Sequence, residues 1–217
     1  MIRLFKKMKV LPAINCYDFK CVLVKLAQLH DTPAHFIHID VSDGKFTKIK
    51  SWNEPKELGI ITSEWPELNF EIHLMIENPE KKVAEWFKAG AKRVLIHLEA
   101  IKSEETIYKL IKMGEIGLSI KPETKPEKLL KFSDKISFFQ LLAVKPGPSG
   151  QKFDEKTLEK IKFLKKNAPK AKIEIDGGMN LENAKLVKRA GADFIVSASY
   201  IFDHHHPKKA FQELSKT

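Results

Sequence analysis

The chain has 217 residues, of which 38 are Lys or Arg and 28 are Asp or Glu, giving a formal net charge of +10 with histidine neutral; 43% are hydrophobic. That apolar share supports a sizeable core, and the charge blocks are too short for a disordered tail. The longest nearly apolar stretch, residues 136–144, falls far short of the roughly 18–20 residues of a membrane helix. The basic opening also lacks the apolar run of a secretory signal, so a cytoplasmic protein with no membrane partner is expected.

Taken in chain order, β-rich apolar segments at residues 10–14, 36–41, 70–75, 93–97, 116–120, 137–144, 173–176 and 194–197 alternate with helical patterns at 20–29, 55–61, 79–89, 103–113, 125–132, 154–167, 181–190 and 207–214. Such alternation signals βαβ units around a parallel sheet. In the sixth helical pattern Leu158, Ile161 and Leu164 line one face while Lys160, Lys162, Lys165 and Lys166 occupy much of the rest. Pro79 and Pro126 stand in first turns, and Gly90 and Gly191 follow helix ends. Eight units with no linker predict one (β/α)8 TIM barrel domain over residues 1–217. An open doubly wound sheet is the alternative, without the G-x-G-x-x-G of its dinucleotide-binding version. Cys16 and Cys21 lack C-x-x-C spacing and read as buried thiols.

In a barrel of this kind the chemistry lies at the C-terminal ends of the strands. The second strand ends H-I-D-V-S-D-G, placing His38 and Asp40 two apart and on one side. The third ends E-I-H-L-M, giving His73 and Met75 the same spacing, and the seventh ends I-E-I-D-G-G with Asp176. Two imidazoles and two carboxylates converging from three strands suit Zn²⁺, Fe²⁺ or Mn²⁺, and the set does not choose among them. The glycine-bearing loops K-P-G-P-S-G-Q, D-G-G-M-N and S-A-S-Y follow strands six, seven and eight. Small residues there let backbone N–H groups approach a phosphate, and Lys145 adds a charge.

These motifs, together with L-P-A-I-N-C-Y-D-F at the start and I-V-S-A-S-Y-I-F at the close, resemble the ribulose-phosphate 3-epimerase family over nearly the whole chain. The resemblance implies a (β/α)8 barrel that binds one divalent metal and interconverts D-ribulose 5-phosphate and D-xylulose 5-phosphate, a small sugar phosphate being its partner. Carried over by position, it implies His38, Asp40, His73 and Asp176 as metal ligands and Asp40 and Asp176 as the acid/base pair. His38, His73 and Met75 then border the substrate, and Gly147, Pro148, Ser149, Gly150, Gly177, Gly178, Ala198 and Ser199 hold its phosphate. No organic or redox cofactor is required: inverting a carbon beside a ketone needs one carboxylate on each face, with a Lewis acid for the developing charge.

The departures surround the ligand and spare the metal and acid/base set. Ala13, Asn15 and Cys16 stand where the family has Ser, Leu and Ser; Ser42 replaces the methionine of D-V-M-D; Lys145 to Gly150 replace N-P-G-F-G-G; Ala198–Ser199 replaces Gly–Ser; and the segment after Phe46 lacks V-P-N. Epimerisation is thus better supported than the identity of the sugar, leaving a 3-epimerase of another ketose phosphate, such as allulose 6-phosphate, or a non-catalytic sugar-phosphate-binding barrel as alternatives. The D-x-K-x-x-D of orotidine-monophosphate decarboxylase-like barrels is missing, since Ser42 stands two after Asp40. His97 ends the fourth strand and reads as a supporting residue, and His204–His206 read as an exposed loop. Trp52, Trp65 and Trp86 suit core packing or a homo-oligomer contact. Lysines scattered over the helices argue for steering of anionic sugar phosphates and against nucleic acid.

Overall fold

A computed structural model describes residues 8–34 and 36–217. Eight strands close into a parallel barrel in the order β1 to β8: β1 (Lys9–Ile14), β2 (Phe36–Ser42), β3 (Asn69–Met75), β4 (Arg93–His97), β5 (Glu115–Ile120), β6 (Phe138–Leu142), β7 (Lys172–Asp176) and β8 (Phe194–Ser197). The helices that follow them are α1 (Phe19–Gln28), α2 (Pro55–Glu64), α3 (Val83–Lys88), α4 (Glu104–Leu110), α5 (Glu127–Leu130), α6 (Thr157–Asn167), α7 (Leu181–Ala190), α8 (Ser199–Phe202) and α9 (Pro207–Ser215). This is the TIM barrel expected from the alternation, and an open sheet is excluded by the pairing of β1 with β8. No helix among the described residues is long and apolar enough to cross a membrane.

Local signals explain where the helices begin. Asp18 accepts the Cys21 N–H at 2.8 Å, Ser103 that of Thr106 at 3.3 Å, and Asn180 that of Asn183 at 2.9 Å, each satisfying an amide the first turn leaves open. Several helices are shorter than their patterns. The 79–89 pattern divides into a 3₁₀ turn at Pro79–Lys81 and α3, which meet at Lys82, where φ widens to −114°. Around α5, the Phe132 and Ser133 amides bond three residues back, to Leu129 and Leu130, so the last turn tightens instead of continuing the α-helix. Strand six stops at Leu142, after which the Ala143 N–H crosses to the Asp176 carbonyl at 2.8 Å.

The main core lies between the outer face of the barrel and the helices. It includes Phe70, Trp86, Phe132, Phe139 and the alternating Ile/Leu/Val positions of the strands. Trp52 and Trp86 meet edge to face there with ring centres 5.8 Å apart. Inside the barrel the fully buried apolar cluster is small, Leu11, Ala13 and Val196. His38, Glu71, His73, His97, Ser119, Gln140 and Glu174, all fully buried, add polar groups to the interior of the molecule.

The thiol expectation for the cysteines is corrected: Cys16 and Cys21 form a disulfide, with Cα atoms 5.7 Å apart. Cys16 lies just beyond β1 and Cys21 in the first turn of α1, so the turn capped by Asp18 brings the two within bridging range. His204–His206 are exposed ahead of α9, as expected of a loop.

Candidate active site

Strand register builds the site. Asp40 pairs with His73 between β2 and β3, and Leu142 pairs with Asp176 between β6 and β7. Strands β2 and β7 are separated in the closed sheet by β1 and β8, so the two aspartates approach from well-separated parts of the wall. One ligand atom from each of His38, Asp40, His73 and Asp176 lies within 4.8 Å of all the others. His73 Nδ1 is 2.9 Å from Asp40 Oδ1 and 3.7 Å from Asp176 Oδ2, and His38 Nε2 is 3.2 Å from Asp40 Oδ1.

Beneath this cluster is a charged support that the motif reading missed. Glu71 Oε1 accepts from His38 Nδ1 at 2.7 Å, while its Oε2 accepts from Arg93 Nη1 at 2.6 Å. The Arg93 guanidinium sits 3.6 Å from the Phe138 ring centre, with Phe36 and Phe194 also within 6 Å, and Nε reaches Glu115 at 2.8 Å. Glu174 takes a hydrogen bond from Gln140 at 3.1 Å. A signal for two of these residues was present: Glu71 and Glu174 stand two before His73 and Asp176, on the same inward side. Beside the cluster, His73 Nε2 and His97 Nε2 are 2.9 Å apart, and His97 Nδ1 is 3.2 Å from Glu99.

The electrostatics separate the two aspartates. Burial pushes Asp40 up, but hydrogen bonds and charge from His38 and His73 more than reverse this and hold it well below the usual carboxylate range. Asp176 is pushed up to about 6 by burial and then by the Asp40 charge. Burial pulls His38 down, yet Asp40 and Glu71 together hold it well above the ordinary imidazole value. His97 is pulled down to about 4, chiefly by burial.

The donor set fits a divalent cation. Glu71, already an acceptor for Arg93, fixes His38 as the donor at Nδ1, which turns the Nε2 lone pair toward Asp40 Oδ1. A neutral His38 would leave two acceptors facing each other in a buried site; a proton on Nε2 answers that, in keeping with the raised proton affinity of His38, and a divalent cation held between them would do the same. Backing a ligating imidazole by an anchored carboxylate is the arrangement metal-binding histidines use.

Above the cluster one cavity is lined by Asp40, Met75 and Asp176 together with Lys145, Gly147 to Gly150, Gly177, Gly178, Ala198 and Ser199. His38 and His73 are fully buried and do not line that cavity. Gly177 and Gly178 have φ of +103° and +67°; a Cβ on Gly178 would stand 2.7 Å from the Phe153 backbone nitrogen. Sequence patterning missed α8, which starts at Ser199 directly after β8 and so places a helix start, with amides free of intrahelical partners, on the cavity wall. The β2 end is anchored by Ser51, whose hydroxyl accepts the Ser42 N–H and donates to the Asp40 carbonyl, and by Asp43, which accepts the amides of Lys45, Phe46 and Glu77. Asn15, at a position that departs from the family pattern, also lines the cavity, and Ala13 belongs to the small inner apolar cluster.

Comparison with known proteins adds a separate line of observation. Residues 9–202 match the model of the ribulose-phosphate 3 epimerase family. A ribulose-phosphate 3-epimerase of Chlamydia trachomatis serovar D is 36% identical over 202 residues, covering 89% of this chain and 86% of that protein. One from Bacillus subtilis is 34% identical over 215 residues, covering 95% and 97%. Among solved structures, a 3-hexulose-6-phosphate synthase superposes with a TM-score of 0.72 at 17% identity, covering 96% of this chain and 99% of its own. KGPDC from Streptococcus mutans gives 0.71 at 14% identity, covering 97% of this chain and 98% of its own. At these identities the structural likeness speaks to the fold alone.

Proposed function

The chain belongs to the ribulose-phosphate 3-epimerase family, enzymes of the isomerase class, and from that premise we propose that it inverts C3 of a ketose phosphate, interconverting D-ribulose 5-phosphate and D-xylulose 5-phosphate in the cytoplasm as a single barrel domain. The observation that carries the reading is the pair Asp40 and Asp176: two carboxylates of unequal proton affinity, reaching one cavity from separated strands.

In this mechanism Asp40, held as the carboxylate, removes the C3 proton from one face, and Asp176, which keeps a proton more readily, returns one to the other. For the opposite epimer the roles exchange. Met75, almost wholly buried, presents an apolar surface beside Asp40 and limits water at the reacting carbon. The backbone amides of Gly147, Ser149, Gly150, Gly177, Gly178, Ala198 and Ser199 hold the phosphate, with Pro148 shaping the loop and Lys145 adding charge, and fix the distance from phosphate to C3. His38, Asp40, His73 and Asp176 would hold one divalent ion, Zn²⁺, Fe²⁺ or Mn²⁺. When bound, it supplies Lewis acidity toward the oxygen charge that develops as the carbon acid loses its proton.

The test is turnover in D₂O with wild type, Asp40→Asn and Asp176→Asn. Wild type places solvent deuterium at C3 of the product, because the returned proton comes from an exchangeable carboxyl. Each variant loses epimerisation by several orders of magnitude, and each exchanges C3 hydrogen from only one of the two epimers. Near wild-type epimerisation by both variants sinks the mechanism. A second reading keeps the chemistry and changes the sugar, and it is favoured by Asn15, Lys145 and Ala198, which depart from the family pattern and line the same cavity. Relative kcat/KM over a panel of pentulose and hexulose phosphates, allulose 6-phosphate included, decides between them, and turnover on any of these excludes a purely binding role.

A further inference from the structure

The proposed roles leave one buried imidazole and its partner acid unused. His97 at the end of β4 is fully buried, its ring packed on Phe46 with centres 4.7 Å apart, and it touches His73 on one side and Glu99 on the other. Glu99 sits in the 3₁₀ turn after β4, and its other oxygen, Oε1, accepts the Lys121 N–H at 2.9 Å and the Thr124 hydroxyl.

We infer that Glu99 and His97 are positioning residues that hold a proton on His73 Nε2 and so keep its Nδ1, which faces Asp40 and Asp176, available to a cation held between those carboxylates. The direction follows from counting donors. A carboxylate can only accept, so His97 presents N–H at Nδ1 to Glu99 and has a bare Nε2. That Nε2, 2.9 Å from His73 Nε2, must accept, which puts a proton on His73 Nε2, and a cation at Nδ1 then takes the place of the hydrogen bond that Nδ1 shares with Asp40 Oδ1, 2.9 Å away. In the opposite orientation a bare, fully buried His97 Nδ1 would face the Glu99 carboxylate, an unpaired acceptor–acceptor contact. The arrangement parallels Arg93–Glu71–His38, so each ligating imidazole is set from behind by an anchored acid, one directly and one through a second imidazole.

This inference rests on the metal reading only for its purpose, since the His97 tautomer is defined with or without an ion. The experiment uses ¹⁵N-histidine-labelled full-length protein, chelated and then loaded with Zn²⁺, with long-range ¹H–¹⁵N spectra assigning each ring and a chromophoric chelator measuring Zn²⁺ affinity. In wild type His97 carries its proton on Nδ1 in both states, and in the zinc form His73 is protonated at Nε2. His97 protonated at Nε2, alone or together with Nδ1, overturns the proposal. If zinc does not bind wild type, the metal reading fails while the His97 tautomer still decides this one.

Glu99→Gln sharpens the test. Lys121 and Thr124 still donate at the Oε1 position, so the new amide oxygen stays there and its NH₂ group faces His97. His97 then switches to Nε2–H, His73 is forced to hold its proton on Nδ1, and Zn²⁺ binds about 10- to 100-fold more weakly. A folded Glu99→Gln protein with the wild-type tautomer and affinity refutes the relay. If that variant does not fold, the wild-type spectra decide by themselves.

Discussion

Replacing Arg93 by methionine removes the cation that neutralises Glu71 and keeps an unbranched apolar stem against Phe36, Phe138 and Phe194. Glu71 is fully buried, and its remaining partner on Oε1 is His38. Breaking a buried pair by deleting one member costs about 3–5 kcal/mol. Loss of the guanidinium stacked 3.6 Å from Phe138 adds about 1 kcal/mol, whereas the Glu115 arm, half exposed, adds little. Protonation of Glu71 and retention of the apolar stem return part of this, for a net loss of about 4 kcal/mol. In a chain of this size that lowers Tm by roughly 8–16 °C. Thermal unfolding followed by circular dichroism measures it. Adding Glu71→Gln keeps an acceptor for His38 while removing the stranded charge, and should recover about 2 kcal/mol. A loss under about 3 °C for Arg93→Met, or simple additivity of the two changes, refutes the view that Arg93 stabilises chiefly by neutralising Glu71.

The disulfide closes a loop of sequence separation 5, for which chain entropy gives about 2 kcal/mol; reduction, or Cys16→Ser with Cys21→Ser, should lower Tm by roughly 4–8 °C, and an unchanged Tm after both thiols titrate contradicts this. Gly178→Ala forces a Cβ to 2.7 Å from the Phe153 nitrogen at φ +67°, so a loss above about 1 kcal/mol and a raised KM for the sugar phosphate are expected, and wild-type values of both would discard the tight-loop argument. In chelated protein Asp176, raised from 3.8 to about 6 by burial and the Asp40 charge, binds a proton in the folded chain that the unfolded chain has released. Its contribution to stability is therefore full below about 4 and is lost as pH rises through about 6. The urea midpoint of wild type minus that of Asp176→Asn should fall across that window, and a flat difference from about pH 4 to 7 counts against the shift.

Strands were legible in the sequence because each carries its own local pattern, and the eight predicted segments lie on β1 to β8 within a few residues at each end. Helix lengths were less legible. The 79–89 and 125–132 patterns have the right apolar spacing, but apolar spacing does not mark the change from a 3₁₀ turn to α-helix at Lys82 or the tightened last turn around Phe132. In the site, histidine and aspartate were conspicuous at strand ends, and their convergence is visible in the register of β2 with β3. Arg93, Glu71 and Glu174 escaped notice because charged residues in a basic, lysine-rich chain read as solvent-facing, and only their two-residue offset from His73 and Asp176 distinguishes two of them. The cysteine pair was missed for a related reason: bridging depends on the turn between β1 and α1, which spacing alone does not specify.

The separation of the large apolar core outside the barrel from the polar groups within has a consequence for how such a protein can diverge. Along β3, Phe70, Ile72 and Leu74 belong to the outer core, while Glu71, His73 and Met75 alternate with them. A substitution at one of the first three is opposed by packing volume. At Glu71 or His73 it is opposed by unmatched charge or a lost hydrogen bond, and a second substitution across the barrel can relieve that without disturbing a helix. Alternate letters of one strand can therefore be rewritten almost independently, the even ones under steric constraint and the odd ones under electrostatic constraint. A barrel wall of this design can exchange one sugar-phosphate chemistry for another while its outline stays fixed.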